Sequence, residues 1–260
     1  MQPIDHLGTT PLFFGIETVD WSLAQFEEAA HATKALGITS LLIKIADGGN
    51  IWYDNVGGWQ KVLETVKPIL KAVAYTYCYG NKFNAIQEEI AILIAAMTTE
   101  GIVIADMEVE FNGRDDWAKQ VSDAILPIPG LFGVTTWADP NLQDWQCVIA
   151  KLEACVNFWL PQVYSDFLAQ QYQTQFAPRI VPYYPVLNLE ARHVIKHASE
   201  ANSPIIALWE YQFITTYAAA IKRIVELPHL LEPTTAVPTS LLRSIKTKVA
   251  ELEALIAQLP

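Results

Sequence analysis

Asp106, Glu108 and Glu110 stand at every second position in the run Gly101-Ile-Val-Ile-Ala-Asp-Met-Glu-Val-Glu-Phe111. Side chains alternate faces along a strand. The spacing therefore puts the three acids on one face, with Val103, Ala105, Met107, Val109 and Phe111 on the other. Carboxylates crowded on one face disfavour each other's charge, so at least one pKa rises and a proton donor near neutral pH results. Cleavage of a glycosidic bond needs such a pair. One acid protonates the leaving oxygen, and another serves as nucleophile, base or charge stabiliser.

A buried strand that turns acidic only at its C-terminal end suits the mouth of a (β/α)8 barrel, where the loops after the strands build the site. The rest of the chain supplies such strands. Eight short apolar runs recur: 13–19, 40–45, 72–79, 102–108, 131–137, 156–164, 180–187 and 205–209. Helical patterns lie between them at 23–36, 59–70, 85–97, 117–126, 140–152, 167–175 and 191–200. Strand-helix alternation means parallel strands covered by helices. Eight strands within the first 230 residues predict a TIM-type barrel over 1–230. The alternative is an open doubly wound sheet, which no GxGxxG loop supports. Asp20 or Ser22 can cap the first helix and Gly37 can end it.

The exits of these strands carry acids, aromatic rings or both. Glu17 ends the first. Lys44 and Asp47 end the second, followed by Gly48-Gly-Asn-Ile-Trp-Tyr-Asp54. Tyr75, Tyr77 and Tyr79 alternate at the third, and Trp137 ends the fifth. Gln162 and Tyr164 end the sixth, Tyr183 and Tyr184 lie in the seventh, and Trp209 and Glu210 end the eighth. Aromatic faces stack on the C–H faces of sugars, while carboxylates and amides bond the hydroxyls. Asp106, Glu108 and Glu17 are therefore the catalytic candidates. Tyr77, Tyr79, Glu110, Trp137, Gln162, Tyr164, Trp209 and Glu210 are the substrate-binding candidates. The structural alternative has the acids paired with Lys44 or with backbone N–H groups, and the tyrosines filling the core.

The bulk numbers bound the partners. A length of 260 residues is close to the ~250 typical of one such barrel. The net charge of −11 disfavours nucleic acid and anionic membranes. The longest apolar runs are too short to span a bilayer. Cys78, Cys147 and Cys155 are odd in number and lack CxxC spacing, so buried free thiols are expected. His193 and His197 stand four apart on a helix expected outside the barrel, so no metal site is assigned there. With no P-loop, HExxH or serine-nucleophile motif, no cofactor or metal is expected. No signal peptide is visible at Met1–His6, which points to the cytoplasm or to release by another route.

The tail differs in kind. Residues 231–239 are Pro/Thr-rich and read as a linker. Leu242, Ile245, Val249, Leu252, Ile256 and Leu259 then follow a heptad spacing, which predicts an appended helix over 240–260. That helix either self-associates or docks on a partner, or it packs back on the barrel.

Taken together, the strand ends resemble family 25 glycoside hydrolases, the peptidoglycan-cleaving lysozymes. Phe14-Gly-Ile-Glu-Thr-Val19 resembles that family's opening Gly-x-Asp-x-Ser strand. Leu42-Ile-Lys-Ile-Ala-Asp-Gly-Gly49 with Tyr53-Asp54 is similar to its second strand, and Ala72-Val-Ala-Tyr-Thr-Tyr77 to its third. Asp106-Met-Glu108 matches its Asp-x-Glu, and Ala207-Leu-Trp-Glu-Tyr211 resembles its last strand. The resemblance implies Glu108 as general acid, Asp106 as its charge-setting neighbour, Glu17 at the first aspartate's position and Tyr77 on the sugar-binding face. Three departures stand out: Glu17 replaces an aspartate, Glu210 a glutamine, and no Asp-x-Asn occurs near the domain's end. The expected function is therefore a glycosidase acting on a cell-wall or related polysaccharide. The alternatives are a non-catalytic carbohydrate-binding or structural barrel and some other barrel hydrolase or lyase.

Overall fold

The structure is a computed structural model. It describes residues 12–14, 20–137, 145–165, 184–190, 193–201, 203, 205–209 and 214–227, with backbone only at 12–14 and 145–147. Nine strands are found among these residues: β1 (Leu12–Phe14), β2 (Ser40–Asp47), β3 (Asn50–Ile51), β4 (Lys71–Cys78), β5 (Ile102–Met107), β6 (Leu131–Trp137), β7 (Phe158–Val163), β8 (Val186–Asn188) and β9 (Ala207–Trp209). The helices are α1 (Leu23–Ala35), α2 (Trp59–Val66), α3 (Ile86–Glu100), α4 (Asp115–Ile125), α5 (Trp145–Leu152), α6 (Val194–Ala201) and α7 (Ala218–Val225).

All of these strands except β3 pair in parallel with their neighbours. β1 pairs with both β2 and β9, which closes the ring, so the fold is a (β/α)8 barrel and not an open sheet. β3 is a short return strand antiparallel to the end of β2. The linker 231–239, the heptad segment 240–260 and the expected helix 167–175 lie outside the described residues.

Period-two alternation sorts the strand side chains into two apolar groups. Val103, Ala105, Met107, Phe132 and Val134 face outward and pack under the helices with Val62, Leu93 and Val121. Leu42, Val73, Tyr75, Ile102, Ile104, Leu131, Phe158, Leu160 and Val186 fill the barrel interior. Gly133 also belongs to the inward set. A Cβ there would lie 2.3 Å from the Phe158 ring, so the missing side chain is what admits the large ring. The helices take their places for ordinary reasons. Ser22 and Gln25 form a capping box at the start of α1. α4 turns Ala118, Val121, Ser122 and Ile125 inward at three- and four-residue spacing.

Several boundaries differ from those expected. β2 runs on to Asp47, and α2 stops at Val66, just before Pro68, whose ring disfavours a continuing helix. α7 has no counterpart among the segments expected from sequence, although it buries Ile221, Ile224 and Val225. The main correction concerns β5. It ends at Met107, and Val109–Phe111 form a turn of 3-10 helix. Asp106, Glu108 and Glu110 therefore do not share one strand face. The expected apolar face also breaks, because Val109 is 51% exposed while Phe111 is buried.

Candidate active site

One row of paired residues crosses four strands at the C-terminal end of the barrel. Asp47 pairs with Tyr77, Tyr77 with Asp106, and Asp106 with Thr135. Asp47 reaches this row through an irregularity in β2. The register with β4 slips between Lys44 and Ala46, so Ile45 is an extra residue. Three positions apart on a regular strand, Lys44 and Asp47 would point to opposite faces. The bulge turns both toward the mouth, where the Lys44 ammonium meets the Asp47 carboxylate at 2.6 Å. Lys44 is buried and lies 4.8 Å from the centre of the Trp52 ring and 5.6 Å from that of Tyr77.

The acids converge on two polar side chains. Gln162 Nε2 donates to Asp106 Oδ1 at 3.1 Å and to Glu108 Oε1 at 2.8 Å, with Thr135 Oγ1 at 3.4 Å. Since one nitrogen holds both oxygens, these cannot be more than about 6 Å apart. Gln162 is itself buried, and its Oε1 accepts no hydrogen bond among the described residues. The Tyr77 hydroxyl donates to Glu110 Oε2 at 3.1 Å and lies 3.5 Å from Glu108 Oε2. Lys82 Nζ closes the other side of Glu110 at 2.9 Å. Glu110 thus joins the cluster after all, carried back to Tyr77 by the 3-10 turn and not by strand alternation.

Asp106 is buried, with 5% of its surface exposed, while Glu108 is half-buried at the mouth. Burial pushes the Asp106 carboxyl well above the usual carboxylate range. The charge of Glu108 adds to the rise, and the Lys44 ammonium opposes it. Crowding was expected to raise at least one pKa in this group of acids, and the one raised is that of Asp106, not of the expected proton donor Glu108. Burial, then the charges of Glu108, Glu110 and Asp106, push the Tyr77 hydroxyl far up, so it remains a donor throughout the neutral range.

The other expected residues fall into three groups. Trp137, Tyr164 and Trp209 are half-buried at their strand exits, and Tyr164 and Trp209 pack on the interior apolar cluster. Tyr79 lies beyond the end of β4 with its ring 4.7 Å from that of Tyr77, whereas Tyr75 is core filling. Glu17 and Glu210 lie outside the described residues. Sequence reasoning missed Thr135, Lys82 and Glu89. Thr135 was legible as the inward residue two before Trp137. Glu89 reaches in from α3, where its buried carboxylate accepts the Tyr79 and Gly80 N–H groups at 2.7 and 2.9 Å. Burial raises its pKa to about 7. Cys78 and Cys155 are buried free thiols, and the side chain of Cys147 is outside the described set. Among the described residues, no helix is long and apolar enough to cross a membrane.

No protein-family model matches this chain, and no curated protein matches it. Solved structures do. An endo-1,4-β-mannanase from Rhizomucor miehei aligns over 85% of this chain and 94% of its own, at 11% identity and a TM-score of 0.56. An endo-β-1,4-mannanase from Thermotoga petrophila aligns over 81% of this chain and 69% of its own, at 10% identity and a TM-score of 0.53. A ribulose-1,5-bisphosphate carboxylase/oxygenase from Pyrococcus horikoshii aligns over 98% of this chain and 66% of its own, at 9% identity and a TM-score of 0.57. Sugar-polymer hydrolases and a carboxylase align equally well, so what these likenesses share with this chain is the barrel fold.

Proposed function

We propose that this chain is a glycoside hydrolase working by carboxylate acid/base chemistry on a cell-wall or related polysaccharide, with peptidoglycan as the first candidate substrate. The observation that carries this is the Asp106–Gln162–Glu108 bridge at the barrel mouth, one acid buried and the other half-buried. Glu108 is the group a substrate can reach. It protonates the glycosidic oxygen as the C–O bond breaks. Burial favours the neutral form of the Asp106 carboxyl beside it, so Asp106 acts there as a neutral polar neighbour. As positive charge grows on the sugar ring, the Glu108 carboxylate left by the proton transfer and the Glu110 carboxylate supply the negative field that stabilises it. The oxygen separation of at most about 6 Å fits a close pair better than the ~6.5–9.5 Å gap that admits an inverting water. The nucleophile is then a carboxylate or an N-acetyl group of the substrate. The Gln162 Oε1, which has no partner among the described residues, is an acceptor for a sugar hydroxyl or amide N–H. Trp137, Tyr164 and Trp209 offer rings at neighbouring exits. Glu17 and Glu210 remain candidates for the same mouth.

The test is reducing-end release and turbidity clearing on purified peptidoglycan, chitin and mannan, for the protein and for Glu108→Gln. The expected result is release that this change lowers at least ~100-fold, the usual consequence of losing a general acid. Release from none of the polymers, with glycan binding retained, would instead identify a non-catalytic carbohydrate-binding barrel.

A further inference from the structure

Beside the acid cluster is a cleft of about 440 Å³, within the roughly 300–1,000 Å³ range of small-molecule sites. The hairpin joining β2 to β3 forms one wall. The turn after β4 and the first turn of α3 form the other. Trp52, Tyr79 and Phe83 contribute rings, Asn50 and Asn84 contribute amides, and Glu88 a carboxylate.

The walls are tightly fitted. The hairpin turns through Gly48-Gly49, with Asp47 paired to Asn50 and Gly48 at φ 60°. A Cβ on Gly48 would come within 3.1 Å of the Tyr79 ring, and one on Gly49 within 3.0 Å of the Glu88 side chain. Asn84, in the opposite wall, holds a left-handed backbone at φ 55° that favours glycine. The Asn50 and Asn84 side-chain amides make no hydrogen bond among the described residues, and Glu88 makes no ion pair there. Phe83 is 63% exposed, although its ring meets Tyr79 edge-to-face at 5.0 Å. One exposed ring, Phe83, two half-buried ones, Trp52 and Tyr79, and unspent amides on a fixed frame suit a polyhydroxylated ligand, with the Lys82 ammonium 5.3 Å from the Phe83 ring centre and 5.5 Å from that of Tyr79.

The cleft is continuous with the acids. Asp47 belongs both to its lining and to the paired row leading to Asp106. The Tyr79 ring is in contact with Tyr77, whose hydroxyl touches Glu110 and Glu108. The Tyr77 and Tyr79 rings thus link Glu108 to the cleft. Charge narrows the ligand further. Asp47 is neutralised by Lys44 and Glu110 by Lys82, which leaves Glu88 as the uncompensated charge on the lining.

We infer that this cleft is a distal sugar subsite, which takes an uncharged hexose or N-acetylhexosamine unit of the glycan held at Glu108 and excludes uronic acids. The inference rests on the hydrolase reading for its alignment with Glu108, but not for its ability to bind. Sugar C–H faces stack on Phe83 and Tyr79. Ring hydroxyls exchange hydrogen bonds with Asn50, Asn84 and Glu88.

Calorimetric titration of the full-length Glu108→Gln protein tests it. The probes are β-1,4-linked N-acetylglucosamine and mannose oligomers from dimer to hexamer, with oligogalacturonate of matched length. For at least one neutral series the hexamer is expected to bind at least tenfold tighter than the dimer, and oligogalacturonate at least tenfold weaker than that hexamer. Adding Phe83→Ala, a change at an exposed ring, brings the hexamer-to-dimer ratio close to one. Adding Glu88→Lys raises oligogalacturonate affinity at least fivefold. A ratio unmoved by Phe83→Ala, or oligogalacturonate binding as tightly as the neutral hexamer, overturns the subsite even if the parent protein cleaves a polymer. A ratio that collapses with Phe83→Ala, in a protein that cleaves nothing, upholds the subsite while the hydrolase reading falls. No binding of any oligomer overturns the subsite outright.

Discussion

Gln162 carries more of the site than its neutral side chain suggests. Its one NH2 group faces both Asp106 and Glu108, and hydrogen bonds to a carboxylate favour the charged form. Removing that donor makes the already raised Asp106 carboxyl harder still to ionise. Gln162→Leu is accordingly expected to move the acidic limb of the kcat/KM profile to higher pH and to lower kcat by about 10–100-fold. An unshifted limb in a pH-rate series would show that the amide does not set the acids' protonation. The residues involved were unevenly legible. Asp106 and Glu108 announced themselves by spacing, and Gln162 by its place at a strand exit. The partnership between them was not legible, because the residues are 54 and 56 positions apart and only barrel closure brings them together. Glu110 was expected in the cluster on the wrong grounds. Strand alternation ends at Met107, and the following 3-10 turn delivers Glu110 to Tyr77 instead.

At the level of elements, β2 and β6 owe their roles to features that a hydrophobic pattern cannot display. Nothing in Ser40–Asp47 marks Ile45 as an extra residue, yet the bulge aims Lys44 and Asp47 into the same space. Gly133 was readable as a glycine inside a strand, but not as room for Phe158 from the next strand. Gly133→Ala is expected to destabilise the barrel by roughly 1–3 kcal/mol through overpacking. Chemical denaturation measures this, and a Phe158→Leu change in the same chain is expected to recover most of the loss. A Gly133→Ala protein as stable as the parent would mean that the Phe158 ring can move aside at little cost. The apolar runs located six barrel strands to within two residues, because burial between helices and interior demands them wherever the loops go. Of the expected strand 180–187 only the end coincides with a described strand, Val186–Asn188, and of 13–19 only the start. Helix ends were less legible, since caps and prolines set them locally.

Among the described residues of the whole molecule, two buried carboxyls, Asp106 and Glu89, have pKa values raised by burial. Each binds its proton more tightly in the folded chain than in the unfolded one. The fold is therefore favoured below the ordinary carboxylate range and loses that advantage as pH rises. For Glu89 the loss runs from about 4.5 to about 7. The thermal midpoint is expected to fall by roughly 3 °C or more between pH 5 and pH 8. Glu89→Gln should flatten that slope, since it cannot ionise. A calorimetric series in which parent and variant keep parallel slopes would remove Glu89 as the cause. The acidity of the chain is concentrated at the barrel mouth as well as spread over its surface, and that concentration was visible in the sequence at strand exits two and four.

The central claim is that Glu108, steadied by Gln162 beside a protonated Asp106, delivers a proton to a glycosidic oxygen. The most direct measurement is a crystal structure of Glu108→Gln with an oligosaccharide that the parent protein cleaves. The prediction is a glycosidic oxygen within about 3.2 Å of the residue-108 amide, with a sugar ring stacked at the barrel mouth. A saccharide bound with every linkage out of reach of residue 108 would contradict it.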